Sequence, residues 1–426
     1  MRSARILVCL CIALLAGCAA RLPSNVRTNA SPPVAATAAM PATVILVSID
    51  GYRADYLQRG LSPNLAALAT QGVRAQWMTP SFPSQTFPNH YTLVTGRYPD
   101  HHGIVANTMD DARIQPDDRF SISNREAVGD GRWWDEATPL WVSVQQQGGH
   151  AATMFWPGSK AAIHGVRPDY WHAFDNKVTA NARVDQVLQW LDLPAQQRPR
   201  FLTLYFDQVD RQAHEHGPDS REVDDALRRT DVALGRLIAG LQQRGLFDRV
   251  DLVIVSDHGM AAVPADHLVY IDEWFDTRRA RTLGLGAIAG VQPDAGASLD
   301  TRQLLSPHPH LQCWKKQDIP ARFHYGSNAR IPPIFCAAQA GWLITTHAAH
   351  AKHGHEDEGE HGYDNADASM RALFVAEGPA FRSDYVASPF PNVDVYPLLA
   401  RLLQVAPESN DGNIADVAAM LKQQTP

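Results

Sequence analysis

Three stretches of the chain are continuously apolar and rich in β-branched residues, and each of them ends in acid. They are Thr43-Val-Ile-Leu-Val-Ser-Ile49 before Asp50, Arg200-Phe-Leu-Thr-Leu-Tyr-Phe206 before Asp207 and Asp210, and Val250-Asp-Leu-Val-Ile-Val-Ser256 before Asp257 and His258. A strand with one wet face alternates apolar and polar residues, whereas a strand of a parallel sheet, covered on both faces, reads as an unbroken run. Between the runs, apolar residues recur at helical spacing over 62–71, 138–148 and 219–244, the second closed by Gly148-Gly149. This alternation predicts an α/β sandwich. In open sheets of that kind the binding crevice lies beyond the carboxyl ends of the strands, where Asp50, Asp210, Asp257 and His258 all fall.

With 426 residues, 45% of them apolar, the chain has material for a substantial core. A catalytic domain is expected over 42–412, with Asn392-Val-Asp-Val-Tyr-Pro-Leu-Leu-Ala-Arg-Leu-Leu as its amphipathic closing helix and 413–426 as a C-terminal tail. Residues 278–340 differ in character, with many Gly and Pro and few periodic stretches, and read as a loop-rich, cap-like insertion. In it Trp314, Phe323, Tyr325 and Phe335 are expected to form a small satellite core. No internal repeat is evident.

The N-terminus carries Arg2 and Arg5 and then an apolar run from Ile6 to Ala16, too short to span a bilayer, so 1–18 reads as an export signal. Leu15-Ala16-Gly17-Cys18 resembles the lipobox of bacterial lipoproteins, which implies acylation of Cys18 and anchoring to a membrane, the outer one given Ala19. A plain secretory signal is the alternative. Residues 19–41, rich in Ala, Pro, Ser and Thr, read as a flexible tether to a periplasmic domain. In an exported chain the remaining Cys313 and Cys336 suggest one disulfide, two buried thiols being the other reading. A net charge of -7 argues against binding nucleic-acid duplexes. An anionic substrate would then be attracted locally, as bound cations do.

The segment Pro80-Ser-Phe-Pro-Ser-Gln-Thr86-Phe87-Pro-Asn-His-Tyr91 offers a threonine hydroxyl, a poor nucleophile unless activated. Asp210 and His214, four apart, share a face if helical; Asp257 and His258 serve one ion only where the strand bends into a loop. Singly, such pairs are more often caps or ion pairs. Together at strand ends they point to metal, and imidazoles mixed with carboxylates, with no thiolate, fit zinc better than magnesium or calcium. His347, His350, His353 and His355, interleaved with Glu356, Asp357, Glu358 and Glu360, form either a solvated loop or a zinc-gathering one.

Five segments appear in family order: Ser48-Ile-Asp50-Gly51, the Thr86 stretch, Asp210-Arg-Gln-Ala-His214, Ser256-Asp257-His258-Gly-Met260 and His361-Gly-Tyr-Asp-Asn365. From Val44 to about Gly412 they resemble the nucleotide pyrophosphatase/phosphodiesterase family of the alkaline phosphatase superfamily. The resemblance implies a three-layer α/β/α sandwich of the alkaline phosphatase type with a mostly parallel sheet. It also implies two Zn2+, one among Asp50, Thr86, Asp257 and His258, the other among Asp210, His214 and His361. Thr86 would form a phospho-threonine intermediate, Asn107 and the Phe87 amide would hold phosphoryl oxygens, and Phe87, Trp156 and Phe174 would bind a nucleobase.

Lys160 stands where some relatives have Asp, Phe174 where they have Tyr, and Gln85 where several have Lys; Trp156 also reads as a core residue and Asn107 as a turn residue. The implied reaction is cleavage of nucleotide diesters and pyrophosphates to nucleoside 5'-monophosphate. A monoesterase, a lipid or choline-phosphate phosphodiesterase, and a periplasmic zinc-binding protein are the other readings. Arg53 and Arg97 leave the choice between monoester and diester open.

Overall fold

Alternate residues of strand β1 (Thr43–Ile49) point to opposite faces, and both faces are dry. Val44 and Leu46 enter one buried cluster, Ile45, Val47 and Ile49 another, so the strand has helices on either side. The computed structural model describes residues 43–114, 119–353 and 357–423. The export signal with Cys18 and the tether lie outside them. In chain order the main strands after β1 are β2 (Val73–Ala75), β3 (Ala151–Met154), β4 (Tyr170–Trp171), β5 (Phe201–Phe206) and β6 (Val250–Val255). Then come β7 (Ala280–Leu283), β8 (Ile288–Pro293), β9 (Leu311–Lys315), β10 (Ile334–Ala338), β11 (Phe374–Glu377) and β12 (Tyr385–Ala387).

The central sheet has eight strands in the order β12-β2-β11-β6-β1-β5-β3-β4. Only β11 runs against its neighbours; β1 is paired in parallel with β5 on one side and β6 on the other. Their carboxyl ends therefore lie side by side, which brings Asp50, Asp207 and Asp257 to one edge. Helices α1 (Pro63–Gln71), α4 (Ala180–Leu191), α5 (Gln208–His216) and α6 (Arg221–Gln243) cover one face. Helices α2 (Thr86–Thr95), α3 (Leu140–Gln146) and α7 (Val395–Leu403) cover the other. This is the α/β/α sandwich that the buried runs predict. Residues 413–423 are no loose tail: Val417 and Met420 are buried, and Lys422 donates its amide to the Ala380 carbonyl.

The insertion departs from its sequence reading. Strands β7 to β10 form a four-stranded antiparallel sheet in the order β7-β8-β10-β9, short and broken by Gly and Pro in the sequence but fully paired. Cys313 and Cys336 face each other across β9 and β10 and are bridged. Phe323, Tyr325 and Phe335 form no satellite core. They surround Phe82, with ring centroids 4.1, 5.5 and 5.8 Å from it, and so belong to the main core beneath the nucleophile segment. Aliphatic residues such as Val291, Ile334 and Ile344 make the satellite cluster instead, on the opposite face of β10.

Polar groups lock the insertion to the 99–111 loop. Asp100 accepts from the amides of Gly326, Ser327 and Asn328 at 3.2, 2.9 and 2.8 Å. Buried Arg330 donates to Asp111 at 2.8 Å and to the Gly103 and Trp133 carbonyls at 2.7 Å each. Removing one partner of such a buried ion pair strands the other. Arg330→Met is therefore expected to destabilise the fold by about 3 kcal/mol, read as a lower urea midpoint at unchanged slope; an unchanged midpoint would show that the clamp carries no stability.

Candidate metal centre

Thr86 is the first residue of α2, after Gln85 in extended conformation. Its hydroxyl thus sits at a helix N-terminus, where unpaired amides and the helix dipole favour negative charge. The turn before it is gathered by one side chain. Asn89 donates to the carbonyls of Pro83 and Gln85 at 3.0 and 2.9 Å and accepts from the Ser81 amide at 2.8 Å. The sequence shows an unremarkable Asn; its function as a turn clamp needs the fold.

Around Thr86 the strand ends deliver their ligands. Asp50, Asp257 and His258 are essentially inaccessible to solvent. His258 Nε2 lies 2.9 Å from Asp257, 3.4 Å from Asp50 and 3.3 Å from the Thr86 hydroxyl. The strand does bend after β6, as a shared ion requires of adjacent residues. Asp210 and His214 fall on helix α5, and His361 reaches them from a distant loop; both Nε2 atoms approach Asp210 Oδ1, at 3.5 and 3.6 Å. Helix α5 can come this close because residue 51 is glycine at φ 67: a Cβ there would stand 3.0 Å from the Asp210 backbone.

The three imidazoles are oriented alike. His214 Nδ1 meets the Gly359 carbonyl at 2.8 Å, His258 Nδ1 that of Gly259 at 2.8 Å, and His361 Nδ1 that of Ser84 at 2.9 Å. A carbonyl accepts only, so Nδ1 carries the proton and each Nε2 is left as a lone-pair donor facing the carboxylates. Opposite them, Asp50 Oδ1, Asp210 Oδ1 and Asp257 Oδ2 are buried without a hydrogen-bond partner. Orphan carboxylate oxygens converging with imidazole lone pairs make a donor set that fits divalent cations. Among the described residues four overlapping groups result: Asp210 with His214 and His361, Asp50 with Asp210 and His258, Asp50 with His90 and Asp257, and His214 with Asp357 and Glu360.

Against burial, the crowded carboxylates make His214 and His258 hold a second proton more tightly, the proton that a cation would displace from Nε2. Burial, then the neighbouring Asp257 and Asp210, push the Asp50 carboxyl well up. Burial would also raise Asp257, but His258 and His90 outweigh it and hold that carboxyl well below its usual range. Burial, then His258 and His214, push His361 well down, while at His214 burial is outweighed by Asp210, Asp357 and Glu360 together, which raise the imidazole to about 10.

Sequence reasoning missed two supports. His90 is one turn beyond Thr86 on α2; its ring lies 3.3 Å from Asp257 and 2.8 Å from Ser48 Oγ. The four-residue spacing was the available signal. Tyr205 donates to Asp50 at 2.5 Å from β5, and nothing local marks it.

Asn107 lies beside Thr86, but its side-chain oxygen Oδ1 accepts from the Phe87 backbone amide at 3.0 Å and its backbone amide donates to Gln85 Oε1 at 2.9 Å. The Phe87 amide is thus spent on orienting Asn107, whose Nδ2 is turned the other way, rather than being a second phosphoryl donor. Trp156 is a further correction. It is only 4% exposed, its indole donating to the His90 carbonyl, so it props His90 and offers no face to a base. Phe87 packs on Phe120 and Trp134, and Phe174 is 45% exposed beside Phe155 and Tyr205. Lys160 is bound to the Arg125 carbonyl. The histidine-rich segment is a helix, His347–His353, with His347 and His350 around Tyr270; His355 and Glu356 lie outside the described residues.

Comparison with known proteins gives the same answer. Residues 44–364 match the family model for type I phosphodiesterase/nucleotide pyrophosphatase. The chain is 36% identical over 382 residues to an uncharacterized pyrophosphatase/phosphodiesterase of Schizosaccharomyces pombe, covering 87% of this chain and 78% of that one. It is 34% identical over 390 residues to human bis(5'-adenosyl)-triphosphatase, covering 91% and 84%. Among solved structures it superposes with a TM-score of 0.83 and 32% identity on murine ectonucleotide pyrophosphatase/phosphodiesterase 5, an inactive threonine-to-alanine variant in complex with AMP, covering 89% of this chain and all of that one. The fold is that of the alkaline phosphatase superfamily. Within it, the chain belongs to the type I phosphodiesterase/nucleotide pyrophosphatase family.

Because carboxylates must lose a proton to bind a cation, chelated protein is expected to bind divalent metal more weakly as pH falls, with proton release on binding. In calorimetry at pH 8 and pH 5.5, equal affinities without proton release would mean that these carboxylates and imidazoles do not give up protons to a cation. Saturating metal at ~100 times Kd should raise stability by about 2.7 kcal/mol.

Proposed function

We propose that this chain is a two-zinc nucleotide pyrophosphatase/phosphodiesterase that releases nucleoside 5'-monophosphate. The observation that carries the proposal is the Thr86 hydroxyl, at a helix N-terminus and 3.3 Å from His258 Nε2, inside a ring of orphan carboxylate oxygens. Asp50, Thr86, Asp257 and His258 would hold one zinc, and Asp210, His214 and His361 the other. Bound there, zinc lowers the pKa of the hydroxyl and offsets charge on the phosphoryl oxygens.

Thr86 Oγ gives up its proton to solvent and attacks phosphorus in line, and its bond forms as that to the leaving oxygen, which takes up a proton, breaks on the Asp210 side. Water then displaces threonine from the phospho-threonine and releases the monophosphate. Asn107, fixed through its carbonyl, turns its amide nitrogen to a phosphoryl oxygen, and the open face of Phe174 with Phe87 receives the base.

The diester reading is favoured over the monoester because the arginines left open by sequence are engaged elsewhere. Arg53 is paired with Asp55, and Arg97 donates to the Ser409 and Glu136 carbonyls. The test is turnover of the nitrophenyl ester of thymidine 5'-phosphate against nitrophenyl phosphate, on protein of measured metal content. Preference for the monoester would sink the proposal. Thr86→Ala should lose turnover, while Asn107→Ala should keep the metal content and lose about 10²-fold in rate; full activity in Asn107→Ala would remove that residue from the mechanism.

Export to the periplasm and anchoring to the outer membrane through Cys18 are part of the same proposal. They are supported by the lipobox-like run and by a disulfide suited to an oxidising compartment. Cys18→Ser should move the enzyme from the membrane to the soluble fraction; unchanged partition would discard the anchor.

A further inference from the structure

Beyond the Asp210, His214 and His361 trio opens a cavity of about 370 Å³, bordered on its near side by Thr86 and Asn107. In the reading above, an in-line attack by Thr86 expels the leaving group on this side. The cavity walls are therefore what a leaving group meets. One wall is acidic, made by Asp357 and Glu360 next to His214. The other comes from the insertion and is apolar: Leu283, Leu285, Ile288, Pro332 and Phe335.

Among the described residues lining it, apart from the imidazoles of the metal trio, the one cationic side chain is Arg330, and that guanidinium is spent. Its Nε donates to Asp111, Nη1 to the Gly103 and Trp133 carbonyls and Nη2 to the Arg132 carbonyl, with the side chain only 2% exposed. It cannot swing to a ligand without stranding Asp111. Glu360 adds no counter-charge in either state. Ionised, it repels an anion, and protonated, it is neutral. Its carboxylate closes on the insertion loop, where a Cβ on Gly286 would stand 2.6 Å from Glu360 Oε2.

We infer that this cavity receives the leaving group and that it favours leaving groups that are uncharged or cationic and partly apolar over polyphosphates; the inference rests on Thr86 being the nucleophile. The natural substrates are then nucleoside 5'-phosphodiesters of an alcohol or amino alcohol, in preference to nucleoside triphosphates. Selectivity between leaving groups on this side is set by the insertion wall and the Asp357 and Glu360 carboxyls, the metal centre being common to all of them.

The test is a charge placed on the insertion wall. Leu285 lines the cavity and is 37% exposed, so a longer polar side chain fits there. Values of kcat/KM for ATP and for the nitrophenyl ester of thymidine 5'-phosphate are measured on the zinc-loaded full chain, on Leu285→Lys and on Leu285→Gln. Taking the ratio of the two substrates in each protein cancels intrinsic leaving-group reactivity when variants are compared. Leu285→Lys is expected to raise the ATP to aryl-ester ratio about tenfold at low salt, the gain shrinking at high ionic strength, while Leu285→Gln stays within about twofold of wild type. Turnover of both substrates with an unchanged ratio in Leu285→Lys overturns the inference and leaves the nucleotide reading intact. Absence of turnover of either substrate by the wild-type chain overturns both.

Discussion

Asp50, Asp210 and Asp257 converge on His258 at the carboxyl edge of a parallel sheet, the first and last inaccessible to solvent and Asp210 at the edge of the cavity. Like charges in a low-dielectric interior repel strongly, and burial penalises each of them further. Nothing about the core requires them. They persist because β1 is flanked on both sides, by β5 and β6, and cannot move its end apart from theirs. The sheet's rigidity imposes the repulsion, and the imidazole lone pairs aimed into the same space show what offsets it.

The other half of the centre comes from two elements that the sheet does not hold. Helix α2 brings Thr86, and its seat is the Asn89 clamp together with Phe82, enclosed by aromatics of the insertion. The loop bearing Asn107 is pinned from the insertion too, through Arg330 on Asp111 and the Tyr325 hydroxyl on the Val105 carbonyl at 3.0 Å. The insertion is thus a structural partner of the nucleophile as well as a wall over the crevice. It fixes the distance between Thr86 and Asn107, on which differential stabilisation of a transition state depends.

The central sheet was legible because double-sided burial leaves a one-dimensional trace: Val44 to Ile49 and Val250 to Val255 are apolar at every step but Ser48 and Asp251. The long helix α6 was legible for the corresponding reason, its apolar stripe facing one side only. Strands β7 to β10 were not, since pairing such as Cys313 with Cys336 is non-local and each strand is too short to show a period. Within the centre, Asp210 and His214 carried their own spacing signal, whereas His361 was legible only through family resemblance. Trp156 shows the opposite limit. A tryptophan in a family-like segment looks the same whether its ring meets a base or, as here, packs at a steep angle on His90 in the core.

His90 links these two halves. Its Nδ1 lies 2.8 Å from the Thr86 carbonyl and 3.3 Å from Asp257, its other nitrogen 2.8 Å from Ser48 Oγ on β1, and Trp156 closes the remaining side. One buried imidazole therefore couples the helix that presents the nucleophile to two strand ends that present carboxylates. A change in how Asp257 shares its charge is felt at His90 and, through the Thr86 carbonyl, at the first turn of α2. Because His90 is held by the first turn of α2, by β1 and by the bend after β6, it ties the nucleophile to the carboxylates, which lowers the ordering left to be done at the reacting centre.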